Sequence, residues 1–187
     1  MSRQFWMECL AAATASGTAI ASSTTETTLI PAPIIPGNYL QDGRCLRVVL
    51  AVGYGTTGTP TLTFSARYGP ATTGVVLTKS GAIVTSSGVG GGASMTALWI
   101  YWFALQVRAN GASGNAMTNG EATLYTTGTA AGSTYPVASG STGGTTPVVC
   151  AAADFTADTA LTPTALWGTN NAANSIQAHQ FTLEGFN

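Results

Sequence analysis

Thr61-Leu62-Thr63-Phe64-Ser65-Ala66-Arg67-Tyr68 alternates without a break: Leu62, Phe64, Ala66 and Tyr68 fall on one face, Thr61, Thr63, Ser65 and Arg67 on the other. A period of two marks a strand with one face in a core. Upstream, Arg44-Cys45-Leu46-Arg47-Val48-Val49-Leu50-Ala51-Val52 is apolar and β-branched, bounded by Asp42-Gly43 before it and by Gly53, Gly55 and Gly58 after it. It reads as a core strand. Thr59-Pro60 is expected to join the two strands as a hairpin.

Working outward, further strands are expected at 75–79, 82–85, 95–108, 116–126, 165–167 and 175–186. Gly, Thr, Ser and Pro recur every few residues and leave no window with sustained helical spacing of apolar residues. Some eight to ten short strands separated by turns predict an all-β chain: a jelly-roll-like antiparallel β-sandwich over residues 25–187. Residues 1–24 are rich in Ala, Ser and Thr after Phe5-Trp6-Met7 and predict an extended N-terminal arm. The Gly/Ser/Thr-rich stretch 128–146 predicts a surface loop.

The chain of 187 residues is 45% hydrophobic, enough to fold, but only 7% charged, with a net charge of −1. An ordinary domain carries about 25% charged residues, so this surface must consist of Thr, Ser, Asn, Gly and Ala. Little charge repulsion opposes association. Nucleic acid is excluded as a partner, because phosphate binding needs clustered Lys and Arg, and Lys79 is the one lysine while Arg44 and Arg47 flank an apolar run. No membrane span is expected: the apolar stretch 97–105 is too short. Gln4 and Glu8 interrupt the apolar start, so no export signal is read.

Chemistry finds few candidates. Gly53-Tyr54-Gly55-Thr56-Thr57-Gly58 matches GxGxxG after a strand, but a dinucleotide site needs a helix N-terminus next, and an alternating strand follows. Gly88-Val89-Gly90-Gly91-Gly92-Ala93 reads as a loop, and Gly74-Val75-Val76-Leu77-Thr78-Lys79-Ser80 lacks the glycine before Lys of a phosphate loop. No cofactor is expected. Cys9, Cys45 and Cys150 form no CxxC pair and read as buried thiols without zinc or dithiol chemistry. Asp154 and Asp158 are weighed as a glycosidase pair but read as solvated loop residues. His179 reads as a hydrogen-bonded structural residue, since no GxSxG elbow or cysteine nucleophile accompanies it. The chain is expected not to be an enzyme.

Ile34-Ile35-Pro36-Gly37-Asn38-Tyr39-Leu40, the core strand, Gly58-Thr59-Pro60-Thr61-Leu62-Thr63-Phe64, the aromatic strand around Trp99 and Trp102, and Trp167 with Asn170-Asn171-Ala172-Ala173-Asn174-Ser175-Ile176 together resemble the small β-sandwich structural proteins of tailed-phage virions. The resemblance spans residues 29–187. It implies a capsid decoration (cement) protein, bound to the outer surface of the head through the major capsid protein or another virion protein. The alternative is a tail or fibre component acting as a receptor- or carbohydrate-binding module, with Tyr125, Tyr135 or Trp167 stacking on sugars.

Oligomerisation is expected from the aromatic strand. Leu98, Ile100 and Trp102 alternate with Trp99, Tyr101 and Phe103, and a two-layer sandwich covers only one of these faces. A homotrimer is expected, with Phe5, Trp6, Met7, Trp99, Tyr101 and Phe103 as interface residues.

Overall fold

A computed structural model describes residues 6–56, 58–85, 97–125, 133–139 and 149–186. Among them run thirteen strands: β1 (Met7–Ala12), β2 (Ile20–Ala21), β3 (Thr27–Thr28), β4 (Ile34–Ile35), β5 (Cys45–Gly55), β6 (Thr61–Tyr68), β7 (Val75–Ser80), β8 (Ile83–Val84), β9 (Ala97–Ala109), β10 (Asn115–Tyr125), β11 (Ser133–Ser139), β12 (Thr159–Trp167) and β13 (Ser175–Phe186). The chain is all-β, with antiparallel pairing throughout these strands.

The strands form one continuous sheet in the order β1-β13-β5-β9-β10-β11-β7-β6-β12-β3. It curls until its two halves face each other as the layers of a sandwich. Phe64 of β6 meets Trp99 and Tyr101 of β9, with ring centroids 4.6 and 5.2 Å apart, although three strands lie between β6 and β9 in the sheet. The alternating faces explain the closure. Leu62, Phe64 and Ala66 from one layer and Val48, Leu50, Trp99, Tyr101 and Phe103 from the other are buried together, and removing this apolar area from water drives the curl.

The structure corrects three local expectations. β5 pairs with β13 and β9, whereas β6 pairs with β7, β8 and β12, so the connection through Thr59-Pro60 crosses between layers and is not a hairpin. Within the stretch expected to be a loop, Ser133–Ser139 is β11, which joins β10 to β7 at the bend and buries Val137. Tertiary pairing here overrides a weak β propensity.

The third correction concerns the segment expected to project as an arm. From Trp6 onward it is built into the sheet: β1 pairs with β13 from Met7↔Phe186 to Ala12↔Thr182, and β2 pairs with Ser175 and Ile176. It then crosses the open seam of the curled sheet. Gly17 N donates to Ala178 O on one side, and Leu29 N donates to Pro163 O on the other. Gly17 has to be glycine, because a Cβ there would stand 2.1 Å from the Leu29 carbonyl oxygen. Ile20, Leu29 and Ile30 supply the buried anchors. Residues 7–35 therefore strap β13 to β12, and no boundary at residue 24 separates an arm from the sandwich.

Candidate functional site: the outer face of the front layer

Alternation along β9 sorts its side chains. Trp99, Tyr101, Phe103, Leu105 and Val107 point into the core, at most 1% exposed. Leu98, Ile100, Trp102 and Ala104 point outward, half-buried except Leu98 at 44% exposed. The pairing registers extend this outward face across β13, β5, β9 and β10. One row reads Thr182, Val49, Trp102, Glu121. The row above it reads Gln180, Ala51, Ile100, Thr123, and the next continues to Leu98 and Tyr125. Below lie Glu184, Arg47, Ala104, Asn119, then Phe186, Cys45, Gln106, Met117. Cross-strand neighbours in such rows lie about 5 Å apart. The result is a broad sheet face with a central apolar band and Thr, Gln and Asn at its flanks.

Charge on this face is sparse and largely self-neutralised. Arg47 holds Glu184 through Nε at 2.7 Å, and its guanidinium lies 5.5 Å from the Phe186 ring. Glu121 stands beside Trp102, and Arg108 stands at the exposed end of β9. Ala104, Gln106, Met117, Asn119 and Cys45 line a groove of about 460 Å³ in the lower rows. Burial raises the Cys45 thiol above its ordinary pKa. The arrangement offers stacking platforms, apolar contact and neutral hydrogen-bonding groups, without an acid–base pair.

The expected interface residues separate. Trp99, Tyr101 and Phe103 are fully buried in the chain's own core, so as an interface they are corrected: the outward face of the same strand, with Leu98, Ile100 and Trp102, is the one a partner can reach. Parity alone could not choose, because both faces of the segment are apolar. Met7 is 56% exposed and pairs with Phe186, so it adjoins the lower rows. Trp6 lies under the Arg44 guanidinium, 4.6 Å from its ring centroid, while Tyr39 takes the guanidinium at 4.0 Å and donates its hydroxyl to Glu8. Burial first, and then the hydrogen bond to Glu8, push the Tyr39 pKa up. Phe5 lies outside the described residues. Among the aromatics considered for sugar stacking, Trp167 is core at 1% exposed, Tyr135 packs against the core, and Tyr125 belongs to the outward face.

The other candidates take structural places. Gly53 and Gly55 belong to β5, and Gly58 leads into strand β6; Gly88–Ala93 lies outside the described residues. Asp154 accepts from Thr156 N at 2.8 Å and Thr156 Oγ1 at 2.6 Å, which lowers its pKa, and Asp158 accepts from Gly37 N at 2.8 Å. Each carboxylate is thus bound to backbone or neighbouring hydroxyl. His179 is the residue of a β-bulge in β13, exposed, with Nδ1 3.1 Å from Ser16 Oγ. The cysteines are all free, but only Cys150 is buried: Cys9 is exposed and Cys45 half-buried, a correction to the reading of buried thiols. Among the described residues no group of three metal-ligating side chains converges.

No family model matches the chain, and no curated protein matches it. Among solved structures, the CBM2 module of an evolved Dit from Lactobacillus casei BL23 phage J-1 is similar at 14% identity, covering 83% of this chain and 68% of that one, with a TM-score of 0.32. A similarity at that level assigns neither fold detail nor function to this chain.

Proposed function

We propose that the chain is a non-enzymatic structural component of a tailed-phage virion that works as a binding module of the tail or fibre, using the outward face of β13, β5, β9 and β10. One observation carries the reading: Leu98, exposed, and Ile100 and Trp102, half-buried, form an outward-facing apolar band on a chain with only 7% charged residues. Apolar side chains held outward by a rigid sheet are placed for contact, since their own core is already filled by the opposite face. The sequence resemblance over residues 29–187 supports the virion context.

The competing reading, a homotrimeric decoration protein on the head, loses Trp99, Tyr101 and Phe103 as interface residues, because they are spent on the core, and keeps Met7, which is 56% exposed. It retains the near-neutral surface as its support. Antibody labelling of intact particles in the electron microscope tests the choice. Label at the tail tip or fibres, together with adsorption lost on Trp102→Arg, is the expected result. Label distributed over the head shell overturns the binding-module reading in favour of decoration.

A further inference from the structure

Asn-Gly occurs at Asn110-Gly111 and Asn119-Gly120, and Asp-Gly at Asp42-Gly43. Such pairs are chemically labile, because a glycine amide nitrogen has no Cβ to screen it from the side-chain carbonyl carbon of the residue before it. The fold treats the three differently. Asn119 and Gly120 lie inside β10, registered with Ala104 and Phe103 of β9 on one side and with Ala138 and Val137 of β11 on the other. A strand flanked on both sides stays extended and commits its amides to the ladders. Gly43 N donates to Val107 O at 2.9 Å. Asn110 and Gly111 stand instead in the connection from β9 to β10, where Gly111 has φ +105°. The Gly111 carbonyl accepts from Gly114 N at 3.2 Å and Phe155 N at 3.0 Å, but among the described residues no acceptor takes its amide. Asn110 and Asn119 are both exposed, so backbone geometry and not access separates them.

We propose that Asn110 is a site of spontaneous deamidation, and that its conversion releases the β9–β10 turn from the segment between β4 and β5. The Gly111 nitrogen gives up its proton and forms a bond to the Asn110 Cγ; the Cγ–Nδ2 bond breaks, and Nδ2 leaves with that proton as ammonia. A succinimide ring remains in the chain. Water then adds to one of the two ring carbonyls and opens it to aspartate or to isoaspartate, with nothing oxidised or reduced. The net change is oxygen in place of NH and one further negative charge on a chain whose net charge is −1. That change falls on a hydrogen-bonded joint. Asn110 N donates to Asp42 Oδ1 at 2.7 Å, and Asn110 Nδ2 donates to Gln41 Oε1 at 2.7 Å. A carboxylate at position 110 has no proton to offer Gln41, and Gln41 can turn its own amide to meet it only by giving up the donation from Nε2 to Asn38 O at 2.6 Å. The new charge also stands beside Asp42, and like charges oppose each other. In the isoaspartate product the extra backbone methylene displaces Gly111, whose carbonyl holds the amide of the buried Phe155.

The test is prolonged incubation of the folded full chain at mildly alkaline pH in water enriched in heavy oxygen, with tandem mass spectrometry reading the replacement of NH by labelled oxygen at each asparagine. Asn110 should convert at least about tenfold faster than Asn119, since opening a ladder hydrogen bond already imposes a factor of that order. In the chain unfolded by urea the two should convert at similar rates. An isoaspartyl methyltransferase should label position 110 of the incubated folded protein. Equal rates at the two sites in the folded protein, faster conversion at Asn119, or an Asn110 that persists while the unfolded chain converts each overturns the proposal. The release is read separately, by thermal unfolding. The midpoint of the natural chain should fall in step with conversion at position 110. Asn110→Gln, which keeps a side-chain amide but would have to close a larger and less favoured ring, should hold its midpoint through the same incubation. Asn110→Asp, the aspartate product made directly, should start from a lowered midpoint. A converted protein that melts together with the fresh one, or an Asn110→Gln protein that declines equally, overturns the release.

Discussion

The outer faces of the two layers reverse the usual relation between polarity and exposure. Behind β6 and β12, Thr63, Ser65, Thr162 and Thr164 are polar and yet buried, at most 9% exposed. On the front layer Leu98 is apolar and yet exposed, with the apolar Ile100 and Trp102 half-buried beside it. The back face is satisfied within the chain. Arg67 grips Glu26 of the strap at 2.8 and 2.6 Å and donates to Gly74 O at 2.7 Å, Thr164 Oγ1 donates to Glu26 at 2.5 Å, and Thr162 Oγ1 donates to Gly69 O at 2.7 Å. Buried polar groups paired in this way carry little penalty. Nothing among the described residues does the equivalent for the front face, whose apolar groups have only a partner to gain from.

The largest effect should come from splitting the two faces of one strand. Trp99→Ala removes a fully buried ring and should cost about 3–5 kcal/mol, whereas Trp102→Ala should cost less than about 1.5 kcal/mol; urea unfolding of both variants measures the gap. Equal costs would mean that the front face is as much a part of the core as the inner one. Next, Arg67→Met leaves Glu26 without its cation while 14% of that side chain is exposed. A loss of about 3 kcal/mol is expected, and adding Glu26→Gln should recover part of it.

The same clasp predicts a pH dependence. Burial raises the Glu26 pKa, but the Arg67 hydrogen bonds, Thr164 and the charges of Arg67 and Lys79 outweigh it and hold the value below its ordinary 4.5. A carboxylate whose folded pKa is depressed contributes stability above its unfolded value and loses it as pH falls through the folded one. Thermal midpoints should therefore fall below pH 4.5, and Glu26→Gln should flatten that decline. A smaller change is expected from Gly17→Ala. Its methyl meets the Leu29 carbonyl oxygen at 2.1 Å, so the strap must shift, at about 1–3 kcal/mol, with faster hydrogen exchange at the Gly17 and Leu29 amides. Smallest of all, Gln180→Ala on the open face should change stability by no more than about 0.5 kcal/mol. A larger loss would show that the front face is held by contacts of its own.

Sequence by itself determined the all-β class and most strand positions, because period-two alternation at Thr61–Tyr68 and apolar runs bounded by glycine are local signals that tertiary context seldom reverses. It also marked the segment around Trp99 and Trp102 as apolar on both faces. Only the tertiary structure decided which of those faces is core, since the choice is made by Phe64 arriving from a strand that is not a sheet neighbour. The same holds for β11, where Val137 is buried by the bend of the sheet, and for the strap, whose Gly17, Glu26 and Leu29 find their partners at residues 178, 67 and 163. These contacts join residues far apart in the chain, and no pattern within a short window can encode them.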